Sequence, residues 1–110
     1  MSAEADRLDR EAQHLEDAAN EVDRCGRSMT ATVSTLRTSF LQAVGNTWVG
    51  PHATRFLDLA QTRYRRLERN EGDMREVASS MRRRAAENRN RANQLRREEE
   101  ERRRREQGSW

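Results

Sequence analysis

Apolar residues in the first part of this chain recur at spacings that alternate strictly between four and three. The series is Leu8, Ala12, Leu15, Ala19, Val22, Gly26, Met29, Val33, Leu36, Phe40 and Ala43. An average spacing of 3.5 residues predicts an α-helix that packs along its length against another helix, whereas a strand needs a period of two. The larger members repeat every seven residues, and the first positions between them are small. Small side chains let a neighbouring backbone come close, so we expect a tightly packed partner helix.

The second half of the chain carries a similar pattern. A seven-residue repeat runs through Ala53, Ala60, Leu67, Met74, Met81, Asn88 and Leu95. Further apolar residues flank it at Leu57, Tyr64, Ala78, Ala85 and Ala92. We therefore predict one helix from about Ala3 to Val44 and a second from Pro51 to about Arg97. Each would be on the order of 60 Å long at 1.5 Å per residue.

Helix-breaking residues cluster between the two patterns. Gly45, Gly50 and Pro51, the only proline, surround Trp48. Proline suits the first position of a helix because its missing N–H needs no partner there. The sequence therefore predicts a bend at residues 45–50 between two antiparallel helices.

The bend defines one helical domain followed by a tail. Residues 1–97 are predicted to form an all-α fold, a two-helix antiparallel hairpin. Residues 98–110 begin with four glutamates and four arginines, a block that supports a helix weakly through i,i+4 pairs. We predict a charged helix extension there, with residues 107–110 unstructured and flexible.

The distribution of charge favours the same fold. Residues 1–24 hold eight acidic residues against three arginines, and residues 82–97 hold seven arginines against one glutamate. Folding back at Trp48 places these segments side by side, where opposite charges select the antiparallel register. Each exposed pair contributes only ~0–1 kcal/mol, so the effect is on register more than on stability. All 22 basic residues are arginine, a bias typical of GC-rich genomes such as those of actinobacteria.

Each predicted helix carries an apolar stripe wider than one line of contact, above all near the bend. A lone hairpin would leave part of these stripes in water, at a cost of ~25 cal/mol per Å² of apolar surface. Two hairpins that pair into a four-helix bundle cover the stripes, so we predict an obligate dimer with a second copy or with another chain. The residues predicted for the hairpin and dimer seam are Leu8, Leu15, Val22, Met29, Val33, Leu36, Phe40, Phe56, Leu57, Leu67, Met74 and Met81.

No group of residues has the spacing that catalysis, a metal ion or a cofactor requires. His14 and His52 lie on different arms, and Cys25 has no base and orienting group at a helical spacing. We predict a non-enzymatic protein without metal or cofactor, and expect Cys25 to be a small, partly buried side chain. The sequence has no apolar run of about eighteen residues for a transmembrane helix, and its N-terminus lacks the apolar region of a signal peptide.

Arginine-rich segments raise an alternative function. Residues 63–69 and 82–97 have the charge to contact nucleic-acid phosphates. Acidic residues interleave with these arginines and the net charge is only +3, so we expect no nucleic-acid partner. The alternative is an intracellular coiled-coil scaffold or an arginine-rich nucleic-acid-binding protein.

The residues around the predicted bend resemble the WXG family, small helical-hairpin proteins exported by type VII secretion systems. The matching residues are Leu36, Phe40, Leu41, Trp48, Gly50, Ala53 and Phe56, the last four in the order W-x-G-x-x-A-x-x-F. Chain length and the single bend also fit, so the resemblance covers about residues 5 to 95.

This resemblance implies a dimeric four-helix bundle that folds in the cytoplasm and is then secreted without a cleavable signal peptide. A membrane-associated ATPase of the secretion machine would recognise it, and Trp48, Gly50 and Pro51 would form the bend and export motif. Members also carry a C-terminal Tyr-x-x-x-Asp/Glu motif after the second helix. Here the only tyrosine, Tyr64, precedes Glu68 at that spacing but lies inside the second arm, so we expect it to pack in the core. The missing motif would come from a WXG-type partner in a heterodimer, or Trp48 would display a composite signal.

Overall fold

Two long helices make up nearly all of the structure, a computed structural model that describes residues 2–108. α1 spans Ala3–Ala43 and α2 spans Pro51–Gly108, and the two helices pack against each other as a hairpin. No strand occurs among residues 2–108. The predicted all-α hairpin is thereby confirmed. The last two residues of the predicted flexible tail, Ser109 and Trp110, lie outside the described residues.

The start of α1 has the chemistry of a helix N-terminus. The hydroxyl of Ser2 accepts a hydrogen bond from the backbone N–H of Ala5 at 3.1 Å, which satisfies one donor that the first turn leaves free. Glu4 and Asp6 stand in this turn, where the helix dipole favours negative charge. α1 therefore begins at Ala3, as predicted, with Ser2 as its capping residue.

α2 continues beyond its apolar pattern. It extends to Gly108 rather than ending near Arg97, so the prediction that residues 107 and 108 are unstructured is wrong. In the extension, the Glu100 carboxylate lies 2.9 Å from the guanidinium of Arg104, four residues later. Glutamate four residues before arginine is the stabilising order on a helix, and this block repeats that order four times. Such pairs extend the helix without an apolar core.

The hairpin divides into two compact units, and both helices contribute to each. The terminal unit contains the residues up to Glu21 and those from Val77 onward, and the bend unit contains Val22–Glu76. Each unit has its own buried seam between the helices.

Alanine fills the seam of the terminal unit. Six fully buried alanines, three from each helix at intervals of seven, are Ala5, Ala12, Ala19, Ala78, Ala85 and Ala92. Because methyl side chains are short, the two backbones approach closely along this line. Beside the alanines lies one buried polar residue, Asn88, whose side-chain amide donates a hydrogen bond to the carboxylate of Glu11 at 3.4 Å.

The seam of the bend unit has larger and more polar members. Val33 of α1 and Tyr64 of α2 are buried, as is Ala53 in the first turn of α2. Gly26 is also buried, and a Cβ atom at this position would lie 3.6 Å from the Cγ atom of Glu71. The methylene part of Glu71 therefore packs directly against the glycine.

The residues of the apolar series, spaced alternately by four and three positions, belong to two sets with different surroundings in the structure. Small residues occupy most of the buried seam, whereas the large residues three positions later are only half-buried. These half-buried residues are Leu8, Leu15, Val22, Met29, Leu67, Met74, Met81 and Leu95. Most of the large residues predicted for the hairpin and dimer seam therefore lie beside the seam between α1 and α2 and not in it.

Candidate functional site

The bend between α1 and α2 is closed by backbone hydrogen bonds. The N–H of Trp48 donates to the carbonyl of Ala43 at 2.9 Å, and the N–H of Gly45 donates to the carbonyl of Trp48, also at 2.9 Å. The Ala43 carbonyl accepts further bonds from the N–H groups of Asn46 and Thr47. These bonds fix the backbone that carries the Trp48 indole.

Two glycines set where the helices end and begin. Gly45 has a φ of +93° and Gly50 a φ of +112°, a left-handed region that glycine reaches without a steric penalty. α1 accordingly ends at Ala43, one residue before the predicted end. The carbonyl of Gly50 accepts the N–H of Thr54 at 3.2 Å, so Gly50 caps α2 and Pro51 is its first residue.

Four aromatic rings follow one another from the bend into the bend unit. The Trp48 ring centre lies 5.4 Å from that of Phe56, which in turn lies 5.4 Å from that of Phe40. The rings of Phe40 and Tyr64 are 6.4 Å apart, and all three pairs are tilted, a favourable geometry for aromatic contacts. Tyr64 is buried, as predicted, and the guanidinium of Arg37 lies 5.9 Å from its ring centre.

The outer end of this ring series is exposed to solvent. Trp48 is 38% exposed and Phe56 is 46% exposed, whereas Tyr64 is only 6% exposed. Other large apolar residues of the bend unit are exposed as well, and we call the whole group the bend patch: Leu36, Leu41, Trp48, Val49, Phe56 and Leu59. Exposed apolar groups of this kind mark interaction surfaces, so the bend patch is a candidate binding site for another protein.

In the terminal unit, residues four positions after a seam alanine form ion pairs between the helices. Glu16 follows Ala12 by four, Arg89 follows Ala85 by four, and their side chains lie 3.1 Å apart. This equal offset shows that the two positions lie on the same side of the seam. We call this side the ion-pair face.

Arg96 extends the ion-pair face of the terminal unit with two acidic partners. Its guanidinium lies 2.6 Å from the Asp9 carboxylate and 2.9 Å from the Asp6 carboxylate. The hydrogen bond that the guanidinium donates to Asp9, followed by the one that it donates to Asp6, raises the pKa of Arg96 above its usual value. These pairs join the acidic and arginine-rich segments whose charges favoured this register.

The bend unit has its own ion pairs. Arg37 and Glu68 lie 3.0 Å apart on the same side of its seam. Glu71 lies 2.9 Å from the Arg75 guanidinium, and its side chain is only 16% exposed. A hydrogen bond with the Thr30 side chain is the largest cause that lowers the pKa of Glu71, the charge of Arg75 adds to it, and desolvation acts in the opposite direction.

Residues three positions after each seam residue form the opposite, apolar face. In the bend unit they are Val22, Met29, Leu36, Leu67 and Met74, and in the terminal unit they are Leu8, Leu15, Met81 and Leu95. Asn88 takes the place of an apolar residue in this series, and its side-chain amide donates a hydrogen bond to Glu11. All of these apolar side chains are half-buried except Leu36, which is 46% exposed. Within each unit, therefore, one side of the seam is charged and the other is apolar.

The predicted site residues are distributed over several parts of the hairpin. Trp48, Gly50 and Pro51 form the bend, and Val33 is the one residue of the predicted seam that is buried. Phe40 and Leu57 are half-buried near the bend, and the remaining seam predictions lie on the apolar face or, for Phe56, in the bend patch. Sequence reasoning missed Ala5, although it stands seven residues before Ala12 and the same repeat would have found it.

Few groups in the described residues have the geometry of a chemical site. Cys25 is exposed, so the expectation of a partly buried thiol is wrong. The reason is its position: it directly precedes Gly26 in the helix and therefore points away from the seam. Residues 2–108 contain no group of three or more potential metal ligands. Over the same residues, neither helix has an apolar stretch that could cross a membrane.

No family model, no curated protein and no solved structure matches this chain. The bend, the bend patch and the apolar face are the features of the described residues that bear on its function.

Proposed function

We propose that this chain is a non-enzymatic WXG-type protein that works as a helical dimer and is exported by, or acts as an adaptor for, a type VII secretion system. The observation that carries the proposal is the bend. Trp48 is held there by two backbone bonds and is partly exposed, and Gly50 adopts a φ that disfavours other residues. A W-x-G tripeptide at the only bend of a two-helix hairpin is the arrangement that the family resemblance implies.

The apolar face supports the dimeric part of the proposal. Its leucine, valine and methionine side chains are at most half-buried within one hairpin, and so are several residues near the bend. Covering them with a second hairpin would remove apolar surface from water at ~25 cal/mol per Å². The partner is either a second copy or another WXG-type chain.

The Tyr-x-x-x-Glu sequence inside α2 does not serve as an export signal in this proposal. Tyr64 is buried against Phe40, and Glu68 is paired with Arg37. A receptor such as the secretion ATPase would not reach the Tyr64 ring, so it could not recognise the two side chains together. The signal then lies around Trp48 or on the partner chain.

An export assay tests the role of Trp48. The chain is expressed in a bacterium that carries a type VII secretion system, and the culture medium is compared with the cell pellet. Trp48→Ala is expected to reduce the secreted fraction strongly while the helical circular dichroism is kept, because the indole lies at the surface of a bend fixed by backbone bonds.

Val77→Ala is the matched control, since Val77 is an exposed apolar residue of α2 that lies outside the bend patch and is 48% exposed. It is expected to leave secretion unchanged. Equal secretion of wild type and Trp48→Ala would contradict the proposal. Retention of all forms in the cell, together with salt-sensitive DNA binding, would favour the nucleic-acid alternative instead.

A further inference from the structure

Charge is divided unequally between the two compact units. The terminal unit contains thirteen arginines and thirteen acidic residues, so its formal charges cancel. The bend unit contains nine arginines against six acidic residues, and it therefore carries the whole net charge of +3. The excess positive charge of the chain thus lies in the unit that also holds the bend patch.

Part of this excess lies on the side of α2 that points away from α1. Five exposed residues recur there at spacings of four and three, and we call them the outer face: Arg55, Leu59, Thr62, Arg66 and Arg69. One step along a helix turns by about 100°, so all five lie within about 40° of the direction opposite the buried Tyr64. The outer face is about 21 Å long.

The middle of the outer face is mainly apolar, whereas both of its ends are basic. Leu59 is 52% exposed. The hydroxyl of Thr62 donates its hydrogen bond to the backbone carbonyl of Asp58 at 3.1 Å, so its proton is used within the helix. Arg55 stands on one side of this pair, and Arg66 and Arg69 stand on the other.

The arginines of the outer face have no acidic partner within the chain. No carboxylate among residues 2–108 forms an ion pair with Arg55, Arg66 or Arg69. Arg66 has no acidic residue three or four positions away, and its neighbours one turn away are Arg63 and Arg69. Like charges at this spacing weaken a helix, whereas Arg104 is paired with a glutamate four residues before it. An acidic group from outside the chain would relieve this repulsion.

We propose that the outer face of the bend unit binds an acidic amphipathic helix of another protein, with carboxylates at both ends and an apolar side chain between them. The guanidinium groups donate paired hydrogen bonds to the carboxylates, and Leu59 packs against the apolar side chain. A partner helix of about four turns covers the whole outer face. This interaction goes beyond the proposed function, because it uses no residue of the W-x-G bend or of the apolar face.

The limits of the outer face favour a short acidic helix over a long polyanion. Asp73 stands four residues after Arg69 on the same side of α2, and Asp58 lies beside Leu59, both of them exposed. Nucleic acid and an anionic lipid surface present negative charge continuously, so these two carboxylates would repel them. A protein helix can place its carboxylates only where the arginines are and an apolar side chain where Leu59 is.

Binding of a synthetic peptide to the full chain tests the proposal. An alanine-rich peptide of about 18 residues, long enough to form a helix, carries glutamates and leucines at the spacing of the outer face. The glutamates correspond to the three arginines, and the leucines correspond to Leu59 and Thr62. A second peptide has the reverse order, because a packed helix can run in either direction. Fluorescence anisotropy of the labelled peptides measures the affinity.

At least one of the two peptides is expected to bind saturably. A control peptide of the same composition, with its glutamates and leucines scattered around the helix, is expected to bind at least about tenfold more weakly. Equal binding of the scattered peptide, or no binding of either designed peptide, would overturn the proposal.

Arginine substitutions locate the bound peptide. The double variant Arg66→Gln and Arg69→Gln is expected to weaken binding about tenfold. The matched control, Arg84→Gln with Arg91→Gln, removes the same charge from exposed positions of α2 in the terminal unit and is expected to change the affinity less than about twofold. Circular dichroism checks that both variants remain helical. Equal effects of the two double variants would mean that only total charge matters, and would overturn the proposal.

Two further measurements separate a protein helix from a polyanion. Leu59→Ala is expected to weaken peptide binding about threefold or more, whereas Val77→Ala, at an exposed position in the terminal unit, is expected to leave it unchanged. A short DNA duplex and phosphatidylglycerol vesicles are tested as alternative ligands. Tighter binding of either one than of the peptides, lost in the Arg66→Gln and Arg69→Gln variant, would overturn the acidic helix as the partner.

Discussion

Gly50 is the residue whose backbone most restricts substitution. Its φ of +112° lies in the left-handed region, and its carbonyl accepts the first hydrogen bond of α2. No atom lies within 4 Å of the place where a Cβ would stand, so a larger side chain would meet no neighbour. The restriction is therefore in the backbone alone.

Gly50→Ala is expected to lower the free energy of unfolding by about 1–2 kcal/mol, because alanine is strained at this φ. Gly72→Ala is the matched control. Gly72 lies inside α2, also with no atom within 4 Å of a Cβ, and alanine there is expected to stabilise by about 1 kcal/mol. Urea unfolding followed by circular dichroism measures both values, and equal signs for the two variants would contradict this reading of the bend.

Glu71 links stability to pH at the residue scale. Its pKa is lowered in the folded state by the Thr30 side chain and by Arg75. A lowered folded-state pKa stabilises the protein above the ordinary glutamate value, and this contribution is lost as the pH falls through the folded-state pKa.

Glu71→Gln is therefore expected to lower the melting temperature near pH ~6, and the difference from wild type is expected to shrink as the pH falls to about 3. A Glu71→Gln difference that stays constant over this range would refute the linkage.

The helices pack through alanine rather than through leucine in the terminal unit. Ala85 is fully buried, whereas its neighbour Ala86 is exposed. Ala85→Leu is expected to cost about 1–3 kcal/mol because the close seam has no room for a larger side chain. Ala86→Leu is expected to change stability by less than about 0.5 kcal/mol. Thermal unfolding of the two variants makes the comparison, and equal stabilities would mean that the seam is loosely packed.

At the scale of elements, the sequence predicts the two helices, the bend and the pairing of the charged segments. It does not predict which apolar set faces the seam, because Ala12 and Leu15 belong equally to a 3.5-residue repeat. Which set faces the seam depends on the distance between the two helices. That distance is set by the whole series of alanines together with the ion pairs beside them. The end of α2 could not be predicted from the apolar pattern either, because local glutamate–arginine pairs, and not apolar residues, continue that helix.

At the scale of the whole molecule, the apolar face predicts association. Met81→Glu places a charge on this face, where Met81 is half-buried, and is expected to shift the mass measured by light scattering from dimer to monomer. Ala86→Glu introduces the same charge at an exposed position away from this face and is expected to leave the dimer intact. A wild-type chain that remains monomeric, both alone and with any W-x-G partner, would remove the basis of the proposed function.

The functional surface could be predicted only in part. The pattern around Trp48 locates the bend, but it does not show that Phe56 and Leu36 are exposed, because both fit a buried heptad position equally well. Their exposure depends on how α1 and α2 pack beside the aromatic rings, which the repeat alone does not contain.

In the terminal unit, the residues that align the helices and the residues left for a partner occupy opposite sides of the alanine seam. The contacts between the two helices and the side chains available to a partner therefore occupy different positions of the same seven-residue repeat. Substitution at one set can change which molecule is recognised without disturbing how the chain folds, so a gene that duplicates can diverge toward new associations while its scaffold stays the same.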